Sequence, residues 1–367
     1  MKNLVLLGAG HAHVHLLSKL ASQPWPGVQI TLIASYPRLL YPDMVPGFVA
    51  GQYALDKCVI PLEPLLKNTG IRWLAQSTTA LDVNARSLTL DDGSTVNFDW
   101  LSVNTEPVQD RQQIEQLMPG AREYGLFVQP TEAFGALWPR VTELAQSRAL
   151  RVAVIGGSAM GIELAMAIRH RLPTSSVTLV TEGASVAAHD TSAVQQRVVQ
   201  ALKQRNITVL ADQAVSIQAG EVSLTSGVRL ACDIPVIASG AQAPAWLTGS
   251  GLALDEQGFV AVDACQRSTS HANVFAAGDI STRIDQPLAH NGVFALRTGP
   301  ALAKNLAAVV AGLAPHPHAA SKFTLNLLSC GDDEAIASWG PYSMQGHWVW
   351  LLKDWIDRSF IKRYRKD

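Results

Sequence analysis

The sequence predicts an α/β fold with two Rossmann-like units, and three short segments predict it. Leu4-Val5-Leu6-Leu7-Gly8-Ala9-Gly10 opens the chain as a buried strand running into a glycine turn. Arg151-Val152-Ala153-Val154-Ile155-Gly156-Gly157-Ser158-Ala159-Met160-Gly161-Ile162-Glu163 repeats that pattern mid-chain. Val274-Phe275-Ala276-Ala277-Gly278-Asp279 then follows as a third strand with its own glycine. In the first two, strand, tight turn and helix present helix N-terminal amides to a pyrophosphate. A chain with two such seats is expected to hold two dinucleotides and to move electrons between them.

The elements follow in order. Strand 4–7 leads to a helix over 12–22, ended by Pro24 and Pro26, and strand 29–33 completes one βαβ unit. Pro42, Pro46 and Gly47 mark an irregular loop. Leu88 to Val96 reads as a hairpin around Asp92-Gly93. The stretch 104–118 turns polar and loses periodicity, which places a crossing between domains there. The second βαβ unit runs from Arg151 through strand 177–180, and a helix covers 192–205. A hairpin over 221–224 and 228–230 and a strand over 234–238 then end in Ser239-Gly240-Ala241. This half repeats the first, so duplicated dinucleotide domains are expected. A helix over 292–312 follows the third motif. The expected division is residues 1–110 and 241–322 for a discontinuous first domain and 111–240 for an inserted second. Residues 323–367 form a small α+β segment with two short strands and a Trp-rich basic tail.

Composition narrows the function. The 367 residues are 48% hydrophobic and 16% charged, with a formal net charge of −1. That balance suits two or three domains and disfavours nucleic acid as a partner. Met1-Lys2-Asn3 leads straight into a strand, so no signal peptide is expected and the location is read as cytoplasmic. The Ala-rich run 300–312 is broken by Lys304 and Asn305, too short an apolar stretch to span a bilayer. Cys58, Cys232, Cys265 and Cys330 are scattered, with neither C-x-x-C nor zinc spacing, and no metal is expected.

The glycine turns nominate binding residues. Gly8 permits the sharp turn and Gly10 a close backbone approach, while His13 stands where the third glycine is usual. His13 implies a wider helix–strand gap or a ring aimed elsewhere. No acidic residue follows the second strand, so Ser35 and Arg38 are the candidates for an adenosine ribose. In the second turn Gly156, Ser158 and Gly161 fill the three positions, and Gly240 closes that unit. Glu182 ends the following strand. It either accepts from a ribose 2′-OH, favouring NAD(H) over NADP(H), or is a solvated loop carboxylate.

The order of these pieces resembles the pyridine nucleotide-disulfide oxidoreductase family, flavoproteins with two dinucleotide-binding domains. Gly10-His11-Ala12-His13-Val14, Leu40-Tyr41-Pro42-Asp43-Met44-Val45-Pro46-Gly47, Asp99-Trp100-Leu101-Ser102, Phe294-Ala295-Leu296-Arg297-Thr298-Gly299-Pro300 and Trp350-Leu351-Leu352-Lys353-Asp354-Trp355-Ile356-Asp357-Arg358 are similar to a narrower group. That group is the flavoprotein associated with selenide, water dikinase, itself similar to type II NADH dehydrogenases. The resemblance implies FAD in the first domain and a nicotinamide nucleotide in the second. It implies that Asp279 accepts from the FAD ribityl chain and that Gly278 admits the pyrophosphate. Pro46 is then placed near the flavin ring, with His290, Asn291 and Gly292 at the start of the 292–312 helix. Glu163 matches a position near the nicotinamide. Alternatives stay open: His290 as a helix cap only, Glu163 as a carboxylate on helix N-terminal amides.

Departures bear on activity. Only Cys58 lies where the disulfide reductases of this family carry a cysteine pair, so a redox disulfide is not expected there. Cys330 has no evident partner for sulfide or selenide chemistry. Glu106 stands where a glycine is expected in the turn Asn104-Thr105-Glu106. In the tail, Trp348, Leu351, Leu352, Trp355 and Ser359 share one helical stripe. The helix either lies on an anionic membrane or packs on the protein's own body or a second subunit. The expected activity is hydride transfer from NAD(P)H through FAD to a small-molecule acceptor, quinone being one candidate. The alternatives are a noncatalytic FAD-binding partner or sensor linked to selenium metabolism, and a sulfide- or selenide-handling flavoenzyme. A homodimer is compatible with all three.

Overall fold

The structure is a computed structural model, and it describes residues 2–183, 186–188, 190–285, 292–319 and 323–365, with side chains from 298 onward in the fourth stretch. The strands used below are β1 (Lys2–Leu7), β2 (Val28–Ile33), β3 (Arg72–Leu74), β4 (Trp100–Val103), β5 (Leu126–Phe127), β6 (Arg151–Ile155), β7 (Ser176–Thr181), β8 (Thr208–Ala211), β9 (Ile234–Ile237), β10 (Val274–Ala276), β11 (Leu325–Ser329), β12 (Ala335–Trp339) and β13 (Tyr342–Gly346). The helices are α1 (His11–Ser22), α2 (Val45–Ala50), α3 (Arg111–Leu117), α4 (Thr131–Ser147), α5 (Ala159–Arg171), α6 (Ser192–Gln204), α7 (Gly292–Val310) and α8 (His347–Tyr364).

Two five-stranded parallel sheets carry the fold. The first runs β10-β4-β1-β2-β3 and the second β5-β9-β6-β7-β8. In both, the strand that feeds the glycine turn is central, which matches the duplication read from sequence. Parallel strands covered on both faces must be apolar throughout, and Leu4 to Leu7 and Val152 to Ile155 are buried without a break. On α1, Ala12, Leu16 and Leu20 at i, i+4, i+8 form a buried stripe in the core. Truncating one such leucine to alanine costs roughly 2–5 kcal/mol.

Several elements differ from expectation. The segment 42–50 is helical rather than irregular: a 3-10 turn Pro42–Met44 runs into α2, whose Pro46 sits in the first turn, where a missing N–H costs nothing. The polar stretch 104–118 contains α3, capped by Asp110, whose Oδ1 accepts from the Gln112 and Gln113 amides. Val108–Gln109 pairs antiparallel with Ala241–Gln242. The last segment has three strands, the antiparallel sheet β11-β12-β13, with α8 after it. Small residues mask the alternation of β12 and β13, and Gly340 lies in the turn between them.

Candidate active site

The carboxyl ends of β1, β4 and β10 converge, and ligands of open parallel sheets bind at such a crevice. Gly8 turns the chain with φ +91°, a conformation that β-carbon-bearing residues rarely adopt. Its amide donates to Ile33 O, and the Gly10 amide donates to Asn104 O at 3.0 Å. Asn104 packs into this turn. A Cβ on Gly10 would stand 2.6 Å from Asn104 Oδ1, and one on Gly278 would stand 2.7 Å from Asn104 Nδ2. Asn104 Oδ1 accepts from the amides of Ala12 at 2.9 Å and His13 at 3.1 Å, and Nδ2 donates to Ala277 O at 2.6 Å. A residue 92 positions away in the chain thus caps α1, whose own N-cap, Gly10, has no side chain to do so.

His13 is fully buried and aimed into the protein. Nδ1 lies 2.6 Å from Gly8 O and Nε2 2.8 Å from Ser102 Oγ, so the ring fills the gap between α1 and β4. Burial lowers its pKa to about 4 and keeps it neutral. Ser35 is exposed at the end of β2, with its hydroxyl 2.8 Å from that of Ser77. Arg38 is half-buried in the short strand Arg38–Leu40, close enough to Glu132 to favour its charged form. Asp279 follows Gly278 in a 3-10 turn, and burial pushes its carboxyl up to about 6.

The crevice also holds polar atoms with no partner. Among the described residues, His11 Nε2, Thr105 Oγ1 and Glu106 Oε1 are buried and unbonded. Thr105 and Glu106 follow β4, and His11 opens α1 with its ring against Tyr41 and Phe360; buried polar groups are normally hydrogen-bonded, so these atoms fit a polar ligand that completes them. The residues present therefore fit a bound dinucleotide. His290 and Asn291 lie outside the described residues, and of Gly292 only the backbone, at the start of α7, is described.

In the second unit Gly156 turns with φ +130°, and a Cβ there would meet Ser239 N at 2.7 Å. The exposed Ser158 is the N-cap of α5, its hydroxyl accepting from Gly161 N at 3.4 Å. A Cβ on Gly161 would lie 2.0 Å from Gly156 O, so only glycine lets α5 start this close to β6. Glu182 is exposed at the end of β7. Gly240 follows β9, beside Ile114 of α3.

Glu163 faces away from its own helix start. Its Oε1 accepts from Ser329 N at 2.7 Å, which links α5 to the end of β11. Around it lies a buried charge cluster that sequence reasoning missed. Lys353 Nζ donates to Asp357 Oδ2 at 2.8 Å and to Asp43 O at 2.7 Å. Burial would strip the Lys353 proton, but Asp357, Glu163 and Asp43 outweigh it and raise its pKa. Burial pushes Glu163 up to about 7. Gly47, Tyr53, Ser329, Trp350, Lys353 and Asp354 line a small cleft between α2 and α8. The i, i+4 spacing of Lys353 and Asp357 in the Trp-rich tail helix was the available signal. Pro46 is buried in α2, which packs on α5.

A family model described as pyridine nucleotide-disulphide oxidoreductase matches residues 2–305. The chain belongs to that family. Its members are oxidoreductases dependent on FAD and NAD(P)H. An NADH dehydrogenase-like protein of Mycobacterium tuberculosis is 27% identical over 241 residues, 62% of this chain and 59% of the relative, so the match spans well under two thirds of that protein. A demethylphylloquinone reductase of Synechocystis is 22% identical, covering 75% of this chain and 71% of the relative. Among solved structures, the sulfide:quinone oxidoreductase of Aquifex aeolicus superposes with TM-score 0.80 at 18% identity, over 100% of this chain and 92% of that one. The NDH2 of Plasmodium falciparum gives TM-score 0.78 at 14% identity, over 99% and 97%. At those identities the likeness establishes the fold.

The four cysteines are unpaired. Cys330 is fully buried, and burial pushes its thiol up to about 12, far from a reactive thiolate. Among the described residues no helix is long and apolar enough to cross a membrane. The stripe read from the tail faces outward: Trp348, Leu351 and Trp355 are exposed, while α8 packs on the body through Val349, Lys353, Asp357, Phe360 and Ile361.

Proposed function

We propose that this chain is an FAD-dependent oxidoreductase that takes a hydride from NAD(P)H and passes the electron pair to a quinone at a membrane surface. The observation that carries the reading is the crevice at Gly8, Gly10 and Asp279, with the unpartnered atoms of His11, Thr105 and Glu106 around it. Bound FAD would supply a ring that accepts an electron pair from one substrate and yields it to another. Gly8, Gly10 and Gly278 would border its pyrophosphate, His13 would hold the turn, and Asp279 would accept from the ribityl chain. Ser35 and Arg38 would meet the adenosine end. Pro46, His290, Asn291 and Gly292 would border the ring, with the positive end of α7 favouring negative charge there.

In the second unit Gly156, Ser158 and Gly161 would receive the nicotinamide dinucleotide, with Gly240 at the closing turn. Glu182 would take the ribose 2′-OH, favouring NAD(H) over NADP(H). Glu163, with a pKa near neutrality, is suited to hold or release the proton that accompanies the second substrate's reduction. The overall balance is NAD(P)H, one proton and a quinone giving NAD(P)+ and a quinol. The quinone is supported by the named activity of the Synechocystis relative. Membrane contact, peripheral and on the inner face, is supported by the outward Trp348, Leu351 and Trp355.

The test is the visible spectrum of the purified protein before and after anaerobic NADH or NADPH. A flavin spectrum that bleaches and recovers on adding quinone is expected. A flavin spectrum that neither nucleotide bleaches would replace this reading with that of a noncatalytic FAD-binding partner.

A further inference from the structure

Glu106 occupies a place where a carboxylate is electrostatically costly. The segment 104–105 lies directly against the glycine turn: a Cβ on Gly8 would meet Asn104 O at 2.4 Å and Thr105 Cγ2 at 2.7 Å. Glu106 is the next residue. Its Oε2 accepts from Thr131 Oγ1 at 3.4 Å, and the same hydroxyl lies 3.4 Å from Glu132 Oε2. One hydroxyl has one proton, so it cannot donate fully to both carboxylates at once. Glu106 Oε1 is buried with no partner among the described residues. Asp279 adds a third carboxyl whose field reaches Glu106. Nearby cations act elsewhere: Arg38 favours charge on Glu132, and Arg111 acts on Tyr36, which also feels Glu106 and Glu132.

We propose that Glu106 is a proton-controlled gate on FAD binding: the lobe holds the dinucleotide tightly only when Glu106 carries a proton. This rests on the FAD reading above. A pyrophosphate at the start of α1 brings negative charge beside Glu106, Glu132 and Asp279, and like charges so close repel strongly in a desolvated site. The protonated carboxyl removes one of those charges. It also gives Oε1 a hydrogen to donate to an acceptor on the ligand. Burial, with the fields of Glu132 and Asp279, raises the Glu106 pKa to about 8, so the gate operates near neutrality.

The sign follows from linkage. An anionic ligand raises the Glu106 pKa further, so the complex binds more protons than the free protein and affinity falls as pH rises. With a pKa near 8, the FAD dissociation constant should rise about tenfold between pH 6.5 and 9.0. The experiment is fluorescence-quench titration of the FAD-stripped full-length protein with FAD across that range. Glu106→Gln, which keeps size and donates without titrating, should bind tightly with a flat profile. Glu106→Gly serves as the second variant, and thermal melts establish that each is folded. A Glu106→Gln profile as steep as wild type, or a flat wild-type profile, overturns the gate and leaves the FAD reading standing. Failure of every protein to bind FAD at any pH overturns the FAD reading, and the gate with it.

Discussion

Lys353 and Asp357 meet at 2.8 Å on the inner face of α8, both more than nine-tenths buried, while Trp355 between them points to solvent. The helix thus buries an ion pair beside Val349, Phe360, Ile361 and Tyr364, and turns Trp348 and Trp355 outward. The pair is held because Lys353 also reaches Asp43 O, so the ammonium is shared between two elements. Lys353→Met should cost about 3–5 kcal/mol, since it leaves Asp357 buried without its cation. Lys353→Met with Asp357→Leu should regain most of that loss. Guanidinium denaturation of both variants measures it.

The outer face of α8 yields the opposite expectation. Trp355 is 66% exposed and Trp348 53%, so Trp355→Glu and Trp348→Ser should change stability by no more than about 0.5 kcal/mol. Binding to vesicles containing anionic lipid should fall sharply in the double variant. Co-sedimentation that is equal for wild type and variant would remove the membrane from the proposed function.

Asn104 caps a helix far from it in sequence. Asn104→Ala leaves the amides of Ala12 and His13 without their acceptor and should cost roughly 1–3 kcal/mol. FAD affinity should fall as well, because the turn at Gly8 and Gly10 loses its buttress. Chemical denaturation and an FAD titration report the two effects separately.

His13 gives a pH signature. Its folded pKa lies near 4 against an ordinary value near 6.5, so the unfolded chain binds the extra proton between them. The His13 contribution is therefore fully present above about pH 6.5 and lost as pH falls toward 4, a change of about 3 kcal/mol in all. The stability difference between wild type and His13→Asn should shrink over that window. Denaturation midpoints at steps from pH 7.5 to 4.5 read it.

Glu182 tests nucleotide choice. A hydrogen bond to a charged group is worth about 1.5–3 kcal/mol, so Glu182→Ala should weaken NADH use roughly 10- to 100-fold relative to NADPH. Initial rates with the two nucleotides decide it, and an unchanged ratio would leave Glu182 as a solvated carboxylate.

Much of this was legible locally. The strands, the glycine turns and the hairpin at Asp92-Gly93 were readable because each depends on neighbours within a few residues: an apolar run, a positive φ, a two-residue turn. The duplication was readable because the same local order occurs twice. The helix at 45–50 was missed because proline suggested a loop, although its place in a first turn is compatible with helix.

The sequence by itself thus determined the α/β architecture, the repeated glycine turns and the candidates in them. Tertiary structure alone decided that Asn104 seats itself at the start of α1, that Glu106 and Glu132 meet at Thr131, and that Lys353 is buried with Asp357. The physical reason is range. Backbone conformation is written in short periodicities, whereas the charge and hydrogen-bond partners of these side chains come mostly from segments tens to hundreds of residues away, which no local pattern records.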